Sequence, residues 1–91
     1  MKKVYHDPFT IKFPHLDLHG ETYETMLYPL EMFIKDNYIM GNNIIVIIHG
    51  RHGFVLKNRT YELLKINKLV KNFYINSEND GETIVELCKR K

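Results

Sequence analysis

The sequence has one cysteine, no tryptophan and no apolar run of membrane-spanning length. A single thiol, Cys88, permits neither an internal disulfide nor a cysteine-rich zinc site, so nothing calls for an oxidising compartment. The first residues, Met1 to Pro8, lack the apolar core of a secretory signal, and a membrane span needs about 20 apolar residues. The expected setting is therefore cytoplasmic, with no membrane partner. The aromatic residues are all tyrosine or phenylalanine, most at core spacing, which argues against a base-stacking platform. Net charge is also small, at +2.

What is present describes one soluble globular domain. The chain has 91 residues, 44% hydrophobic and 26% charged, enough for a single core. Its charge is unevenly spread. Residues 51–71 hold six basic side chains (Arg51, Lys57, Arg59, Lys65, Lys68, Lys71) against one acid, Glu62. Such a segment is either a solvated lysine face or a surface that faces phosphate.

The organising stretch is Ile44-Ile45-Val46-Ile47-Ile48, five β-branched residues in a row. The run is too short for a buried helix and reads as a central parallel strand covered on both faces. Upstream, residues 1–14 form an arm, and residues 15–91 form the domain. His15 to Gly20 alternates, with Leu16 and Leu18 on one face and Asp17 and His19 on the other, predicting a short strand. Thr22 can cap a helix over residues 23–40, in which Pro29 predicts a kink or break near residues 26–28. Gly41-Asn42-Asn43 stops that helix. A second helix is predicted over Phe54–Ile66, with Val55, Leu56, Leu63 and Leu64 on its apolar face. Residues 69–75 and 83–87 read as strands joined by a turn containing Asp80-Gly81, a hairpin. The order β-α-β-α-β-β at this length predicts a two-layer α/β sandwich.

Three stretches carry a resemblance: Leu16-Asp17-Leu18-His19-Gly20, Ile47-Ile48-His49-Gly50 and Val85-Glu86-Leu87. In this order and at these spacings the chain resembles the Smr (small MutS-related) domain over residues 16–87. The resemblance implies a fold similar to the carboxyl-terminal domain of a bacterial translation initiation factor, a four-stranded mixed sheet with two helices. It also implies nucleic-acid binding and, in several members, endonuclease activity on DNA or RNA assisted by Mg2+ or Mn2+, with no organic cofactor. The loop departs from the family pattern. Where the family usually continues His-Gly-Lys-Gly-Thr-Gly and then Leu-Arg, this chain has His49-Gly50-Arg51-His52-Gly53-Phe54-Val55-Leu56-Lys57 and keeps basic residues at Arg51 and Lys57.

Beside that resemblance stands the chemistry of the residues themselves. Asp17 and His19 at a strand exit can supply a general base, or ligate a hard cation through the carboxylate of Asp17. The plainer reading is that Asp17 caps a turn and His19 satisfies backbone groups. His49, Gly50, Arg51, His52 and Gly53 precede a helix, where free amides and Arg51 can hold a phosphate, although tight turns need glycine anyway. His6 and His15 read as surface or packing residues. Two functions follow: a nucleic-acid-binding domain that cleaves phosphodiester bonds, or a non-catalytic module for DNA, RNA or the ribosome, acting as a monomer or weak dimer.

Overall fold

Strand β2, Ile44–Ile48, lies inside a four-stranded sheet of order β1-β2-β4-β3, in a computed structural model that describes residues 10–51 and 54–90. The other elements are β1 (His15–Asp17), α1 (Leu27–Met40), α2 (Phe54–Ile66), β3 (Val70–Ile75) and β4 (Glu82–Leu87). Residues 1–9 of the expected arm lie outside the described residues, as do His52, Gly53 and Lys91.

β1 pairs with β2 in parallel, Asp17 opposite Ile48, while β4 runs antiparallel to both β2 and β3. The steps from β1 to β2 and from β2 to β3 advance across the sheet in one direction. Two right-handed crossovers of that kind place both helices on the same face, which gives the expected two-layer sandwich with a mixed sheet. The core shows it: Leu30 and Ile34 of α1 and Leu64 of α2 join Ile45, Ile47, Val85 and Leu87 from the sheet. Ile45, Val46 and Ile47 are fully buried, so β2 is covered on both faces as its composition predicts. Each such side chain contributes about 1.5–3 kcal/mol relative to exposure.

Pro29 ends up costing nothing. The α-helix starts only at Leu27, so Pro29 falls in the first turn, where backbone N–H groups have no intrahelical partner. The expected break is thus the junction between α1 and a separate turn over residues 23–26. Thr22 and Thr25 close that turn reciprocally, each backbone N–H donating to the other's Oγ1, at 2.8 and 3.1 Å. At the far end Gly41, with φ +82°, donates to Tyr38 while Asn42 donates to Asn37, a Schellman closure.

α2 keeps its expected bounds and, apart from Val55, its expected face. Leu64 and Thr60 are buried and Leu56 and Leu63 pack against the core, whereas Val55 is 62% exposed. The buried stripe follows positions 56, 60, 63 and 64, and Val55 sits outside it. Among the described residues no helix is long and apolar enough to cross a membrane.

Candidate functional site

Because β1 and β2 are parallel neighbours, their carboxyl ends emerge side by side. The ladder continues one residue past β1, with the Leu18 N–H donating to the Ile48 carbonyl at 2.8 Å. Leu18 is fully buried and pins the chain there, leaving Asp17 and His19 exposed on either side of it. The Asp17 carboxylate accepts the His19 backbone N–H through Oδ1 at 2.8 Å, so it shapes the turn that presents His19. The plainer role is therefore filled by one oxygen of Asp17, and both side chains still face solvent. The two residues sit one register step from the loop that follows β2.

That loop is built differently from the expected phosphate cradle. His49 is only 2% exposed, its ring turned into the domain rather than toward a ligand. Nδ1 lies 3.1 Å from the Gly50 carbonyl and Nε2 lies 2.8 Å from Thr83 Oγ1. A carbonyl only accepts, so Nδ1 carries the proton and Nε2 accepts from the Thr83 hydroxyl. The Tyr61 ring meets the imidazole edge to face, at 6.3 Å between centroids. Burial lowers the His49 pKa below its ordinary 6.5; the hydrogen bond to Gly50 opposes this, and nearby Lys57 adds to it.

The backbone amides of His49 and Gly50 are also committed. Both donate to the Gly81 carbonyl at 3.0 Å, so neither is free to hold phosphate. This is a correction to the loop reading, and its cause is strand order: β4 runs beside β2, which brings the hairpin turn under the loop. Gly50, at φ +87°, supplies the bend. Gly81 is buried, and an added Cβ would come within 3.3 Å of the Arg51 backbone nitrogen and Cγ. Gly81→Ala is expected to cost about 1–3 kcal/mol through overpacking, read as a lower thermal midpoint; an unchanged midpoint would show that the loop yields freely.

Arg51 is what the loop offers to solvent. Its Nε lies 3.2 Å from Asp80 Oδ1, with the two side chains 64% and 70% exposed. A pair so exposed is worth about 0–1 kcal/mol and exchanges readily for a phosphate. Lys57, half-buried on α2, lies close enough to His49 to bear on its charge. His52 and Gly53, also expected at this surface, lie outside the described residues. His15 packs as expected, half-buried with Nδ1 on the Phe13 carbonyl at 2.6 Å.

The topology places Asp17 and His19 at the carboxyl end of β1 and Arg51 in the loop that leaves the neighbouring carboxyl end of β2, with His49 and Gly50 serving as the loop's frame. Sequence reading missed Thr83, Tyr61 and Gly81 as parts of that frame. Asp80-Gly81 showed only a turn, and nothing local in the sequence says what a turn will touch. A depression of about 400 Å³ lined by Asn43, Ile44, Lys71, Glu86, Leu87, Cys88 and Lys89 lies at the opposite end of the sheet.

Residues 16–87 match the model of the Smr domain family. The chain is 40% identical over 80 residues to an endonuclease MutS2 of Caldanaerobacter subterraneus subsp. tengcongensis, covering 85% of this chain and 10% of that protein. It is 38% identical over 76 residues to an endonuclease MutS2 of Geobacillus sp. (strain WCH70), covering 84% and 10%. The chain therefore spans about a tenth of the length of these curated relatives. Among solved structures, the Smr domain of Thermus thermophilus MutS2 superposes with a TM-score of 0.79 at 23% identity, over 82% of this chain and 98% of that one. The stand-alone small MutS-related protein YdaL of Escherichia coli gives 0.80 at 20% identity, over 89% and 71%. At those identities the two structures speak for the fold.

Proposed function

The chain belongs to the Smr domain family, and from that premise we propose that it binds nucleic acid and cleaves phosphodiester bonds at the edge formed by Asp17, His19 and Arg51. The carrying observation is that an exposed carboxylate and an exposed imidazole leave β1 beside the β2 loop that presents an exposed guanidinium. Arg51 and Lys57 would position the phosphate backbone. His19 would exchange the proton that cleavage moves, and Asp17 would orient it through the turn.

Among the described residues no group of three or more His, Cys, Asp or Glu could hold a metal ion. There is thus no closed protein cage, and the single exposed carboxylate of Asp17 would fit only an ion such as Mg2+ or Mn2+ that is commonly held by one or two carboxylates, waters and the substrate's own phosphates. Asp17 would be the protein ligand, and the ion would supply charge opposite the scissile phosphate. No organic cofactor is proposed, and the protein is taken to act as a monomer or weak dimer in the cytoplasm.

A second reading, a non-catalytic module for DNA, RNA or the ribosome, is favoured by the turn bond at Asp17 and by the amides committed to Gly81. Incubation with labelled single- and double-stranded DNA and RNA, with magnesium, manganese or chelator, separates the two. Metal-dependent cutting supports the first; retention of the probe without cutting supports the second. In either case Arg51→Ala with Lys57→Ala is expected to weaken binding and to reduce the slope of log affinity against log salt by roughly one per lost phosphate contact. An unchanged slope would remove this surface from the interface.

A further inference from the structure

Tyr23, four residues beyond His19, is 46% exposed in the turn that precedes α1. Arg59 of α2 lies over its ring, the guanidinium carbon 3.9 Å from the centroid. The same side chain donates from Nε to the Tyr23 backbone carbonyl at 2.9 Å. Ring and backbone of one residue are thus gripped by one planar cation, and the pair has little rotamer freedom left to lose on binding. One helical turn earlier, on the same side of α2, Val55 is 62% exposed. An exposed valine is ordinary by itself. Here it lies beside a stacked ring and guanidinium, and both it and Arg59 belong to the segment of residues 51–71 that carries six basic side chains and one acid.

A duplex backbone can use the charge but has no use for the ring or the apolar lip beside it. An unpaired base can use all three, by stacking on an aromatic or guanidinium plane while its phosphate meets the basic residues. Against the expectation from aromatic spacing, which treats these rings as core, we infer that the exposed Tyr23 and Arg59 form a stacking platform for an unpaired nucleobase, making single-stranded segments the substrate class of this domain. The inference rests on the nucleic-acid reading above and names which form that reading takes. Arg59 also ties the turn after β1 to α2, so the platform belongs to the segment that directly follows Asp17 and His19 in the chain and would fix the register of a strand bound there.

The test measures fluorescence anisotropy with three labelled probes: a single strand, the same strand carrying abasic residues, and its fully paired duplex. Wild type is expected to prefer the base-bearing strand over the abasic one by about tenfold, within the range stacking gives. Tyr23→Leu, which keeps apolar bulk and the backbone carbonyl but not the ring, should erase that preference and leave duplex affinity within about twofold. Tyr23→Phe should retain it, and Arg59→Lys should reduce it while keeping the salt slope of wild type. Equal losses on all three probes in Tyr23→Leu would show a structural clamp and overturn the platform, as would a wild type that binds abasic and base-bearing strands alike. Binding of duplex without base preference would leave the proposed function standing and sink this inference alone. Failure of wild type to bind any probe would sink both.

Discussion

Asp17→Asn is expected to abolish metal-dependent cleavage, by about 10²- to 10⁴-fold, while leaving binding largely intact. The substitution is clean because of the local geometry. The Asp17 oxygen that accepts the His19 N–H at 2.8 Å has an equivalent in the asparagine carbonyl, so the turn and the placement of His19 persist. Only the negative charge goes, and with it the ability to hold a cation. His19→Ala, which leaves the turn bond in place because that bond uses the backbone, should slow cleavage on the order of 100-fold or more. Gel-based single-turnover cleavage would read both variants, with circular dichroism to confirm folding. If wild type cleaves and both folded variants cleave equally fast, the chemistry lies elsewhere. If wild type cuts nothing with any metal, the binding-module reading replaces it.

His49→Ala is expected to destabilise the domain by about 3–5 kcal/mol, against a total of roughly 5–15 for proteins of this kind. The ring is 2% exposed, so its removal leaves a cavity as well as a fully buried Thr83 hydroxyl and a Gly50 carbonyl stripped of a partner. His49→Phe, which fills the space but makes no hydrogen bonds, should cost less, about 1–3 kcal/mol. Urea unfolding would measure both, and a loss below about 1 kcal/mol for the alanine variant would remove His49 from the frame. Acid should act through the same residue. The native pKa is lowered below the ordinary 6.5, so between those two values the unfolded chain binds more protons than the folded one. The contribution is complete above about pH 6.5 and declines as pH falls toward the native value. His49→Phe should lose this part of the pH dependence. An identical acid limb in wild type and variant would contradict it.

Thr83 marks where legibility stopped. In sequence, His49-Gly50-Arg51 at the end of a buried strand has the signature of a ligand loop, and a histidine there reads the same whether it faces in or out. The choice was made by a residue 34 positions away, on a strand whose place in the sheet local pattern does not encode. Val55 failed on a smaller scale, since the helical period permits two neighbouring stripes and only packing against the sheet selected the one through Leu56, Thr60 and Leu64. Tyr23 and Arg59 lie 36 residues apart, and their stacking left no trace in either local context.

By itself the sequence determined the element order, the ends of α2, the interior position of Ile44–Ile48, the hairpin at Asp80-Gly81 and the emergence of Asp17 and His19 at a strand end. These follow from local causes: β-branched stiffness, the period of apolar residues, and the backbone freedom of glycine. Only the tertiary structure decided that β4 lies between β2 and β3, and with it that the Gly81 carbonyl takes the two loop amides, that Thr83 turns His49 inward, and that Arg51 is left as the loop's outward group. Strand order is set by which pairing buries the most apolar surface and satisfies the most backbone groups at once, a property of the whole chain that no single stretch contains.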